Sequence, residues 1–141
     1  MSQPERLSKD KSEVFPSAHH YDLIDLIGTP YIYGESDCIH IVLESLERMG
    51  IDAPPMNRDW YDMPVRQWAR DLLKWGERID EPRYDGDVLV WADPPGFAVV
   101  WNQGYLHINK DLQKVHWFPL SRIRSHFSRS NAISSRSSAF R

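Results

Sequence analysis

A single cysteine in 141 residues rules out an internal disulfide, so the fold must stand on packing alone. The chain also lacks any apolar run near the ~20 residues that cross a bilayer. Its first residues, Met1-Ser2-Gln3-Pro4-Glu5-Arg6, lack the apolar centre of a secretory signal. These absences predict a protein made in the cytoplasm, with no export signal of its own. Cys-x-x-Cys, His-x-x-x-His and His-Glu-x-x-His spacings are missing, so zinc has no evident cage, and no phosphate-binding glycine loop is present. No cofactor is expected. Acidic residues are absent from 122 to 141, where Arg122, Arg124, Arg129, Arg136 and Arg141 make a basic tail. Twelve basic against twenty acidic residues remain in the first 121, a net of −8 there and −3 overall.

What is present is a core-forming middle. Hydrophobic residues make up 41% and aromatics 12%, with six tryptophans, which suits one domain. Residues 1–17 are polar with almost no apolar pattern and read as an N-terminal arm; residues 128–141 read as a basic C-terminal arm. Between them, residues 18–127 form the predicted domain. Leu23, Ile24, Leu26 and Ile27 predict a short helix over His19 to Ile27, stopped by Gly28 and Pro30. Ile39, Val42, Leu43 and Leu46 recur at helical spacing, with Ser36 or Asp37 as N-cap and Gly50 as C-cap. Ala53 to Asp62 reads as loop. Pro64 then opens a helix with Val65, Trp68, Ala69, Leu72 and Leu73 on one stripe, ending near Gly76. After Asp85-Gly86 the period becomes strand-like: residues 87–91, 97–101, 104–108 and 114–118 are short aromatic and β-branched runs separated by turns. Helices followed by a meander predict an α+β fold.

Cys38 stands directly before the helix that begins at Ile39. Unpaired N–H groups at a helix start favour thiolate over thiol, which is how a cysteine becomes a nucleophile. The nucleophile also needs a base within hydrogen-bond reach and a group that orients the base. Taken alone, Cys38 is equally well a small core residue.

The order Pro30-Tyr31-Ile32-Tyr33-Gly34, Asp37-Cys38 at a helix start, Gly50-Ile51 with Pro54, and Gly86-Asp87-Val88-Leu89-Val90-Trp91 opening an antiparallel sheet resembles the NlpC-type peptidoglycan endopeptidases. These are papain-like cell-wall hydrolases of bacteria and phages, and the resemblance spans roughly residues 18–127. It implies a papain-like fold with N-terminal helices on a small antiparallel sheet. Cys38 is the nucleophile position, with Tyr31 and Asp37 beside it as candidate substrate-binding residues. The family's base is a histidine at the start of the strand after the Gly-Asp strand, yet the corresponding stretch is Pro94-Pro95-Gly96-Phe97, with nothing that accepts a proton. His107 matches the third, orienting position, and His116 on the last core strand is a weaker candidate. His40, two residues past Cys38, points some 200° around the helix from it.

Loss of a base typically removes 10²–10⁴-fold in rate, so the resemblance implies a degenerate, weak or inactive site. Phage members of the family without signal peptides travel in the virion. The reading that follows is a phage tail tip or baseplate component. It would meet other tail proteins through residues 1–17 and 128–141, and peptidoglycan as a further partner. Two alternatives stand beside it. One is an active cysteine endopeptidase using Cys38 with His107 or His116. The other is a nucleic-acid-associated protein using the basic tail, although interleaved serines with isolated Ile133 and Phe140 better fit a segment that orders along a protein partner.

Overall fold

A computed structural model describes residues 22–92, 95–123 and 130–135. The expected N-terminal arm, the start of the first predicted helix, and residues 124–129 and 136–141 of the basic tail lie outside the described residues. The architecture of the described residues is α+β: two α-helices and one six-stranded sheet in which every pairing is antiparallel.

Helix α1 spans Cys38–Arg48. Asp37 caps it by accepting the His40 backbone N–H, and Ile39, Val42 and Leu46 form its buried stripe. It ends in a Schellman motif, with Ile51 N–H donating to Leu46 O and Gly50 N–H to Glu47 O. Gly50, at φ 75°, supplies the left-handed residue that the motif requires. Helix α2, Val65–Trp75, starts after Pro64 and buries Val65, Trp68 and Leu72. It runs without a loop into strand β1, Gly76–Ile79. A side chain on Gly76 would collide with the backbone of Ser134 on the neighbouring strand, so this junction needs glycine.

The remaining strands are β2 (Val88–Ala92), β3 (Pro95–Trp101), β4 (Gly104–His107), β5 (His116–Pro119) and β6 (Ser130–Ser135). Their order in the sheet is β1-β6-β2-β3-β4-β5. Alternation along the strands divides two cores. Val88, Val90, Phe97, Val99, Leu106 and Ile133 face the helices and join Ile39, Val42, Leu46, Trp60, Trp68 and Leu72. Leu89, Trp91, Ala98, Val100, Tyr105, Ile123 and Ala132 form the core on the other face.

The four strands of the predicted meander are present within about two residues of their expected bounds. Four features differ from the sequence reading, the first being strand β1, Gly76–Ile79, which follows α2 where no strand was expected. Residues 130–135, expected within an arm, form an interior strand between β1 and β2, with Ile133 paired to Val88 and Ala132 to Leu89. The predicted loop 53–62 holds a 3₁₀ turn, Arg58–Asp62, that drives Trp60 into the core at 1% exposure. Within its described part, the first predicted helix is a single 3₁₀ turn at Ile24–Leu26. Among the described residues no helix is long and apolar enough to cross a membrane.

Candidate functional site

Cys38 is the first residue of α1, and α1 lies across β3. The residue is half-buried and packs against the helix-side core, with the backbone of Phe97 on β3 among the groups that favour its thiolate. Burial pushes the thiol up to about 12, and the Asp37 carboxylate pushes the same way; the backbone groups of Phe97 and Ile39 offset only part of this. This is the reverse of an activated thiol. The helix N-terminus that would stabilise a thiolate already has a carboxylate on it, that of Asp37.

Under Cys38 the sheet offers no base. Phe97 is fully buried, edge-on to Trp60 with ring centroids 6.2 Å apart and to Trp68 at 6.5 Å. Val99, Leu106 and Ile108 continue the same apolar face. His107, expected to face the site, does not. Asn102 and Gln103 both have positive φ (53° and 62°), the signature of a type I′ two-residue turn, and this turn sets Trp101 opposite Gly104 and Val99 opposite Leu106. Leu106 therefore faces the helices, and His107, one residue on, faces away. Its ring meets Trp91 edge-on at 4.9 Å, and its Nε2 lies 3.3 Å from Asn109 Nδ2. His116, paired with His107 across β4 and β5, stacks on Phe118 at 5.8 Å. Both histidines are across the sheet from Cys38, so the structure does not bring together the cysteine–histidine constellation implied by the resemblance.

What it does assemble around Asp37 is a different polar cluster. Asp37 is 2% exposed. Its Oδ1 accepts from the His40 backbone N–H at 3.1 Å and from His40 Nδ1 at 2.8 Å. Its Oδ2 accepts from Gly34 N–H at 2.8 Å and from the Tyr61 hydroxyl at 2.6 Å. Burial opposes ionisation, but the hydrogen bonds from Tyr61, His40 and Gly34 outweigh it and hold the carboxyl below its ordinary value. Tyr61 is shifted up, first by burial and then by its bond to Asp37. The sequence carried a signal for His40: Asp37 at the N-cap and His40 three residues on lie on one face of the first turn, so their side chains can meet. Tyr61 had no such signal, because the turn that delivers it reads as loop.

Tyr31, half-buried, donates its backbone N–H to Gln113 O at 2.8 Å, which ties the loop before α1 to the loop before β5. Burial, and then the Asp37 charge, raise its pKa, so its hydroxyl stays protonated. Tyr33 is 64% exposed and sits edge-on to Tyr61 at 4.9 Å. Tyr31, Tyr33, Lys110 and Gln113 line a cleft of about 500 Å³ beside this cluster. Among the described residues no group of three or more His, Cys, Asp or Glu side chains is placed to hold a metal ion.

The depressed Asp37 carboxyl has a measurable consequence. In the folded state it binds fewer protons than in the unfolded state, so its contribution is complete above the ordinary carboxylate pKa of 3.8 and is lost as pH falls through the lower folded value. Asp37→Asn is expected to flatten the fall of unfolding free energy with acid below about pH 4. Urea denaturation of both proteins between pH 2 and 7 checks this; parallel acid limbs would show that Asp37 is not held ionised.

No protein-family model, no curated protein and no solved structure matches this chain.

Proposed function

We propose that the chain is a non-catalytic module of the NlpC type, papain-like in fold, serving as a structural component of a phage tail tip or baseplate. The motif order from Pro30 to Trp91 supports the type, as does a helix carrying the cysteine at its first turn, lying on an antiparallel sheet. One observation carries the loss of chemistry: the sheet face beneath Cys38 presents Phe97, Val99, Leu106 and Ile108, and every one of them is apolar. A thiol pushed up to about 12, with no imidazole on the described sheet face beneath it and with His40 bonded to Asp37, has no route to a nucleophilic thiolate near neutral pH. Contacts with other tail proteins, and with the cell wall during entry, belong to the same proposal.

Full-length protein and its Cys38→Ala variant, incubated with purified peptidoglycan, are expected to release the same background of soluble fragments by chromatography. Release by the wild type alone would overturn the proposal in favour of an active endopeptidase. Gold labelling of phage particles is expected to mark the tail tip, and label confined to heads or absent from particles would remove the assembly half.

A further inference from the structure

Tyr33 is a large aromatic side chain left 64% exposed, although the loop that carries it is well fastened. Gly34 N–H is bound to buried Asp37, Ser36 Oγ donates to Pro30 O at 2.7 Å, and the Tyr33 ring rests against Tyr61, which is itself anchored on Asp37. A rigidly held, exposed aromatic over a cleft is a recognition surface of the kind that pays little ordering entropy on binding. The cleft beside it has a definite chemistry. Two tyrosine side chains line it, Gln113 offers an amide, and Lys110 offers an ammonium that makes no ion pair among the described residues. Its main chain is already committed: Tyr31 N–H donates to Gln113 O and Gln113 N–H donates to Asn109 O. An extended peptide seeking ladder bonds to those two residues would find both amides taken. A ligand recognised through ring faces, side-chain hydrogen bonds and one cation is a better match.

We propose that the cleft lined by Tyr31, Tyr33, Lys110 and Gln113 binds a carboxylate-bearing sugar. The tyrosine rings stack on the pyranose faces, Gln113 and the protonated Tyr31 hydroxyl pair with hydroxyl or acetamido groups, and Lys110 pairs with the carboxylate. The cavity, at about 500 Å³, falls within the ordinary range for small-ligand sites. The inference rests on the non-catalytic reading above and says what such a module holds.

Full-length ¹⁵N-labelled protein titrated with three probes tests it by amide shift mapping. Two carry a carboxylate from different sources: a hyaluronan tetrasaccharide, with glucuronate, and the disaccharide of N-acetylglucosamine and N-acetylmuramic acid. The third, chitotetraose, is neutral. At least one acidic probe is expected to shift the amides of residues 31–34 and 110–113 and to bind at least tenfold more tightly than chitotetraose, with affinity falling as salt rises. The surface variants Lys110→Ala and Tyr33→Ala are each expected to weaken it at least tenfold while keeping the wild-type spectrum elsewhere. The identity of the stronger acidic probe distinguishes a uronate from a muramate source. Absence of binding by both acidic probes at millimolar concentration, equal binding of chitotetraose, or indifference to Lys110→Ala would overturn the proposal. Peptidoglycan cleavage is read separately, so the failure of either claim is visible without the other.

Discussion

A chain ended at Arg129 is expected not to reach the native state. That truncation removes β6, which lies between β1 and β2, so the loss strips hydrogen-bond partners from both neighbours and cuts β1 away from the rest of the sheet. It also takes Ile133, 1% exposed in the helix-side core, and Ala132, 5% exposed in the core opposite. Domains of this size are stable by roughly 5–15 kcal/mol. Removing a fully buried isoleucine side chain alone typically costs about 2–5 kcal/mol, and exposed backbone along β2 adds to that. The milder variant Ile133→Ala is expected to unfold cooperatively with stability lowered by about 2–5 kcal/mol. Thermal melts followed by far- and near-ultraviolet circular dichroism read both variants. A 1–129 chain melting within a few degrees of the full-length protein would restore the tail to the status of an arm.

Much of the fold was legible, and where it was not the reasons are specific. α1 announced itself through Asp37, the stripe Ile39, Val42 and Leu46, and Gly50, because cap, period and stop all agree. β6 did not, because Ser130-Asn131-Ala132-Ile133-Ser134-Ser135 has only two apolar residues among serines, and an interior strand takes its burial from neighbours that the local sequence does not show. β1 is four residues long with Glu77 and Arg78 at its centre, the charged pattern of a short edge strand. At the site, Asp37 and Cys38 were found by position, and the lack of a proton acceptor in Gly96-Phe97 is plain in the sequence itself. His107 was misplaced by a single step of parity: alignment by likeness matched it to an inward position, whereas the two-residue turn at Asn102-Gln103 turns it outward. Tyr61 was not legible because its bond to Asp37 joins residues 24 apart in the chain, whereas His40, read only against Cys38, lies three residues from the Asp37 carboxylate it meets.

The second large effect concerns the sulfur itself. A free thiol of pKa about 8.5 is roughly one-quarter thiolate at pH 8. A thiol pushed up to about 12 is thiolate in only about one molecule in 10⁴ at that pH. Alkylation of Cys38 in the folded protein is therefore expected to be about 10³-fold slower than in the urea-unfolded chain at pH 8, before any further slowing from its partial burial. Removing the Asp37 charge with Asp37→Asn is expected to speed it, since that carboxylate is the second contributor to the upward shift after burial.

The proposed lack of a working base beside Cys38 is tested most directly by the rate of Cys38 carbamidomethylation by iodoacetamide, followed from pH 6 to pH 11 on the folded full-length protein. The expected profile is slow at neutral pH and climbs about tenfold per pH unit with no plateau below pH 10. A rate that levels off near or below pH 8, faster than in the unfolded chain, would reveal a thiolate stabilised by an imidazole partner and would contradict the account.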